Sequence, residues 1–245
     1  MPKYKITIEY EGTSFVGWQS QDNGKSIQQS IEEAIEKLSN EKVAVFGAGR
    51  TDSGVHAKGQ VAHFEFLKDL ADDNIRDGIN QYLRPLPIAI LKVEKVTNDF
   101  HARFSAKLRT YEYLIINRRA PLTFNKNLAW GVFKQLNIDE MKEAASIFVG
   151  KHDFNAFRSI DCQSSSSIKT IQSCSIRTND QHIILNVSAK SFLHSQVRIM
   201  VGTLVEVGKG KFNLSDVKDI ITSQDRSKAG ATAPAQGLYL LKVEY

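Results

Sequence analysis

The chain has 245 residues, enough for one large or two modest domains, and its 42% hydrophobic and 24% charged content is ordinary for a folded globular protein. Lys and Arg outnumber Asp and Glu by 32 to 27, and this formal charge of +5 favours an anionic partner such as nucleic acid. Two cysteines imply no disulfide framework and fit a reducing compartment; no apolar segment follows Met1-Pro-Lys-Tyr-Lys as a signal peptide requires, and no apolar run reaches membrane-spanning length, so a cytoplasmic protein is expected.

In the first half, Lys3 to Tyr10 (KYKITIEY) alternates as a strand, with Tyr4, Ile6 and Ile8 on one face. The stretch Gly12-Thr-Ser14-Phe-Val-Gly17 is one residue too long for a serine hydrolase elbow and reads as a loop, with Phe15 and Trp18 available for packing. Ser26 with Gln29 makes a capping-box pattern ahead of Ile27, Ile31, Ile35 and Leu38 at helical spacing. Lys42 to Phe46 predicts a short strand and Gln60 to Phe66 another. Asp72 to Leu83 predicts a helix and Ile88 to Val96 a strand, so the order is β-α-β-β-α-β, the ferredoxin-like arrangement.

The second half repeats that order. A strand is expected over Lys107 to Asn117, an amphipathic helix over Ile138 to Val149, and strands over Ile168 to Arg177 and His182 to Ala189. A helix from about His194 to Val207 carries Val197, Met200, Val201 and Leu204 on one face, with Gly208 placed as a C-cap. A short helix near Leu214 to Ile221 and a strand from Leu238 to Tyr245 close the chain. Two α/β units follow, residues 1–105 and 106–245. Residues 159–167 (SIDCQSSSS) are the one low-complexity patch and read as a mobile loop.

FGAGRTDSGVHAKGQ, residues 46–60, gathers glycines around Arg50, Asp52 and His56. A Rossmann fingerprint fails because Asp52 takes the third glycine's place, and a P-loop fails because Val55-His56 follows Gly54 where Lys-Ser/Thr is needed. Asp52 then has two readings: a carboxylate held on rigid scaffold as nucleophile or general base, or an Asx-type turn residue capping its own backbone. His63-Phe-Glu65 matches half of a zinc deaminase motif, but no P-C-x-x-C accompanies it, so these two read as surface residues on one strand face. From Phe100 to Tyr113 (FHARFSAKLRTYEY), Arg103, Lys107 and Arg109 are candidates for phosphates, and Tyr111 and Tyr113 share a strand face; a half-solvated strand with aromatic pairs accounts for them equally well. Arg198, four residues after His194, is either a helix's wet face or a counter-ion for Asp52.

GAGRTDSGVHA, DFHARFSAKLRTYEY, DFNAFR, FLHSQVRIMVG and QGLYLLKVEY occur in that order over residues 3–245, and together they resemble the tRNA pseudouridine synthase A family. GRTDSGVHA is the specific motif among them. The resemblance implies the pseudouridine synthase fold, an α/β fold of two ferredoxin-like units whose sheets join across a central cleft. It implies that Asp52 is the nucleophile, that Arg50 helps extrude the target base, and that Tyr111 stacks on the uracil. It further implies that Arg198 pairs with Asp52 and that Leu238 lines the base pocket. The implied activity is isomerisation of uridine at positions 38, 39 and 40 of the tRNA anticodon arm, by a homodimer without metal, nucleotide or redox cofactor. A non-catalytic RNA-binding module of the same architecture would explain the charge and the aromatics, but gives no reason for a carboxylate among cations.

Overall fold

Period-two alternation buries Tyr4, Ile6 and Ile8 on one face of β1 (Lys3–Tyr10). The computed structural model describes residues 1–22, 24–160 and 162–245; Asp161 of the serine-rich patch therefore lies outside the described residues. They form two compact units, residues 1–107 with 239–245, and residues 108–238.

In the first unit, α1 (Ile27–Ser39) begins where the Ser26 hydroxyl accepts from the Gln29 N–H, and ends at Asn40 in the left-handed region. Its buried stripe is Ile27, Ile31, Ala34 and Ile35. The remaining elements are β2 (Phe46–Gly47), β3 (His56–Glu65), α2 (Asp72–Leu83) and β4 (Ile88–Val96). β1 lies between β3 and β4, antiparallel to both. β2 runs antiparallel to β3 at Phe46 and His63, completing the order β4-β1-β3-β2 of the split βαβ arrangement.

The last strand, β10 (Leu238–Glu244), joins this unit: Tyr239 and Leu240 pair in parallel with His56 and Ala57, and the Lys107 N–H donates to the Glu244 carbonyl. The unit boundary therefore falls at Lys107/Leu108 where the sequence suggests residue 105, and the C-terminal strand is not the second unit's own. That pairing joins residues more than 180 positions apart, and local pattern carries no trace of it.

The second unit contains β5 (Leu108–Asn117), β6 (Trp130–Val132), α3 (Ile138–Ile147), β7 (Gly150–Asp153), β8 (Ile168–Asn179), β9 (His182–Ala189), α4 (Gln196–Gly208) and α5 (Leu214–Ser223). β9 is antiparallel to both β5 and β8, β7 is antiparallel to β8, and β6 runs parallel to β5. α4 buries Val197, Ile199, Met200, Val201, Leu204, Val205 and Val207, an apolar surface almost all the way round, as a central helix requires. It starts at Gln196 because Ser195 has φ 60, outside the helical region, and His194 therefore stands before the helix. No helix is long and apolar enough to cross a membrane among the described residues.

Candidate active site

The segment between Gly47 and His56 is not a free loop. Strand β3 and the connection from Tyr10 to Trp18 bond it on both sides. The Trp18 N–H donates to the Thr51 carbonyl at 3.0 Å, and the Ser53 hydroxyl to the Phe15 carbonyl at 3.1 Å. The buried hydroxyls of Tyr10 and Thr51 lie 2.8 Å apart. Gln60, fully buried in β3, donates from Nε2 to the Gly49 carbonyl at 2.8 Å, and its Oε1 accepts the Val61 N–H. The Ala48 N–H donates to the Val61 carbonyl. Within this lattice the chain turns after Asp52: the Val55 N–H donates to the Asp52 carbonyl at 3.1 Å, and Gly54 takes φ 76, a conformation that glycine adopts without steric cost. Gly17 permits the close approach from the other side. It has φ 114, and a Cβ there would stand 2.6 Å from the Thr51 carbonyl oxygen.

Asp52 is thus half-buried on a fixed backbone, and Arg50, on the same segment, is exposed. His56, the motif's histidine, is buried; its Nδ1 accepts the Gly12 N–H at 2.9 Å, so that nitrogen is unprotonated, and its ring stacks on Tyr239. It ties the residues before the segment to the strand after it. Tyr10, Trp18, Thr51 and Gln60 hold the segment in place, and sequence reading did not single out Tyr10 or Gln60; a buried glutamine inside an apolar strand was the available signal.

The other candidates lie in the second unit. Tyr111 and Tyr113 share a face of β5. The Tyr111 ring meets Phe192 edge-on, with centroids 5.3 Å apart, and the residue is 8% exposed. Tyr113 donates its hydroxyl to the Pro234 carbonyl at 2.7 Å; burial pushes its phenol far above the usual range, against a weaker downward pull from Arg198. Arg198, half-buried on α4, donates from Nε to the Ala233 carbonyl at 2.8 Å, and its own carbonyl accepts the Ala233 N–H. Leu238 follows a short turn at Ala235–Gly237 and is 6% exposed. The segment from Ala233 to Leu238 therefore passes both Arg198 and Tyr113, so Arg198 is no solvated helix face. Arg226 shapes the approach to it by donating to the Ala229 and Gly230 carbonyls and the Thr232 hydroxyl.

Two sequence-based readings are corrected. Arg109 does not face solvent: it is buried and its guanidinium donates to the Lys190 carbonyl, so it serves the fold. His63 is buried where a surface residue was expected, because residues 100–102 cover it: its Nδ1 accepts the Ala102 N–H, while Glu65, on the same strand face, is exposed. Phe15 and Trp18 are both buried.

The sequence profile of the family described as tRNA pseudouridine synthase matches residues 6–105 and 144–245 of this chain. The chain belongs to the tRNA pseudouridine synthase family. A tRNA pseudouridine synthase A of Maricaulis maris (strain MCS10) is 51% identical over 245 residues, covering all of this chain and 98% of that protein. Proteins of the same name from Anaplasma phagocytophilum (strain HZ) and Parvibaculum lavamentivorans are 52% and 49% identical, each over 245 residues and the whole of its own length. Membership makes the chain an isomerase acting on tRNA uridine, and its mixed α/β architecture accords with the pseudouridine synthase fold.

Proposed function

We propose that the isomerisation takes place at positions 38, 39 and 40 of the tRNA anticodon arm, with Asp52 as the nucleophile, in a cytoplasmic homodimer. The observation that carries the assignment is the bonded segment around Asp52. Hydrogen bonds at Gly49, Thr51, Ser53 and Val55 fix the backbone on both sides of a single carboxylate. A nucleophile presented on a rigid turn keeps its geometry through the reaction.

A target uridine inside a stem must first leave the stack, at about a few kcal/mol. Arg50 fills the place it vacates, and Tyr111 stacks on the extruded uracil, a contact worth about 1–3 kcal/mol per base. Leu238 supplies apolar wall, and Arg198 the counter-ion of Asp52. In one route a carboxylate oxygen bonds to ribose C1′ while the C1′–N1 bond breaks and its electron pair stays on uracil. The uracil turns, C5 bonds to C1′, and the carboxylate leaves. In the other route the carboxylate first adds to uracil C6, the C1′–N1 bond breaks, C5 bonds to C1′, and the C6–carboxylate bond breaks to restore the carboxylate. Both routes end when the C5 proton departs and N1 gains one, so the product is an isomer and no oxidant or reductant is consumed.

The test is to incubate the purified protein with an unmodified tRNA transcript carrying uridines in the anticodon arm and elsewhere, then map pseudouridine along it. Pseudouridine at positions 38 to 40 is expected. Pseudouridine confined to other arms would overturn the site assignment.

A further inference from the structure

Next to the Asp52 segment, the first unit carries a row of four aromatic rings that no step of the proposed reaction uses. Phe104 contacts His101 with centroids 4.4 Å apart, His101 contacts His63 at 4.6 Å, and His63 stacks on Phe46 at 5.2 Å. The outer members are open: Phe104 is 73% exposed and Phe46 is 50% exposed. An exposed phenyl alone is common, but two at the ends of one contacting row form a ledge of aromatic face. Arg103 lies over Phe104, its guanidinium carbon 5.6 Å from the ring centroid. The row is anchored from below: Ala102 packs against Ala48 and Val61 with Phe100 and Tyr245 at the edge, and the Tyr245 hydroxyl donates to the Ala102 carbonyl at 2.8 Å. Phe46 and Ala48 lead directly into Arg50 and Asp52, so the ledge and the candidate active segment share one rigid support.

We infer that this ledge is a second RNA subsite, at which an unpaired nucleotide of the tRNA outside the active site stacks its base on Phe104 while Arg103 meets its phosphate. The inference rests on the tRNA reading. An exposed ring beside a cation suits single-stranded nucleic acid, because every base has a π face and every nucleotide a phosphate. Burial lowers both imidazoles, His63 to about 4, so the middle of the row is uncharged near neutral pH and backs the exposed rings at its ends. The carboxylate flanking it, Glu65, is paired with Lys3 at 3.1 Å, which offsets part of its repulsion for a phosphate.

The experiment measures the dissociation constant of an unmodified tRNA transcript for wild type, Phe104→Ala, Phe104→Tyr and Arg103→Gln over a series of salt concentrations, with pseudouridine formation by wild type in the same preparation. Phe104→Ala is expected to raise the dissociation constant roughly 5- to 150-fold, the span of one stacked base, and to raise KM in parallel. Phe104→Tyr keeps the ring and should stay within about twofold of wild type. Arg103→Gln should reduce the slope of log affinity against log salt by about 1. Because Phe104 is so exposed, melting temperatures of the variants should match wild type. If wild type binds and converts tRNA while Phe104→Ala binds equally well, the ledge is refuted and the tRNA reading stands. If Phe104→Ala instead alters the sedimenting mass, a second copy of the chain covers the ledge and the inference is likewise overturned. If wild type neither binds nor converts tRNA, the underlying reading fails first, and the ledge with it.

Discussion

Gly17 faces the carbonyl of Thr51 so closely that a Cβ built on it would stand 2.6 Å from the oxygen. That oxygen also accepts the Trp18 N–H, and the next residue is Asp52. The glycine thus sets how near the 10–18 connection approaches the candidate nucleophile. Gly17→Ala would clash with backbone and would strain a residue at φ 114. We expect a loss of about 1–3 kcal/mol in urea denaturation and a larger proportional loss of turnover. Wild-type stability in this variant would show that the contact relaxes freely and that the segment is less constrained than its bonds suggest.

Arg198 holds the Ala233 carbonyl through Nε. Lysine keeps the charge but has no donor at that position. Arg198→Lys should therefore lower kcat on the order of 10- to 150-fold, the span for a lost hydrogen bond involving a charged group. Steady-state kinetics on tRNA reads this directly; an unchanged kcat would make Arg198 a structural strut only.

Tyr111 presents its ring edge-on to Phe192, and a phenylalanine there preserves that contact. On the expectation that its hydroxyl assists proton transfer, Tyr111→Phe should bind tRNA as wild type does and turn over about 100-fold or more slowly. Tyr111→Leu should lose binding as well. Full activity in the phenylalanine variant would confine Tyr111 to stacking.

His63 carries a pH dependence with a definite sign. In the folded protein its imidazole is held down to about 4 from 6.5, first by burial and then by the nearby charges of His101 and Lys3. The folded state therefore resists a proton that the unfolded chain accepts. Stability from this group is complete above pH 6.5 and is lost as pH falls toward about 4. Protonation also ends acceptance of the Ala102 N–H at Nδ1. His63→Asn supplies an uncharged acceptor there, so its melting temperature should fall less steeply between pH 6.5 and 4.5 than that of wild type. Parallel curves would mean that His63 takes up its proton without resistance.

Where the hydrophobic period was strong, or a cap marked the start, the sequence was legible to the residue. Helix α2 and strand β4 have the expected bounds, and α1 starts at the Ser26 cap. Elsewhere a non-local group decided. Lys42 to Val45 alternates as a strand should, yet pairs with nothing as a ladder, because the Val45 N–H is taken by the Glu32 carboxylate. β3 begins at His56, earlier than expected, because Tyr239 of the last strand pairs with it. β6 and β7 have three and four residues, too few for a period to show. Around the candidate site, the motif exposed Asp52 and Arg50. The hydrogen bonds that fix them come from Tyr10, Phe15, Trp18 and Gln60, whose partnership is a matter of tertiary packing.

The central claim is that Asp52 is the nucleophile, and its most direct test follows the hydrogen at uracil C5. Joining C5 to ribose C1′ requires that hydrogen to leave, so wild-type protein should release tritium from tRNA labelled at uridine C5, with no metal or nucleotide added. Asp52→Asn is nearly isosteric and preserves the backbone turn to Val55, so it should bind tRNA at least as well as wild type. The account predicts tritium release at background in that variant. Substantial release by Asp52→Asn would contradict it, leaving the glycines and arginine of this segment as the makers of a turn.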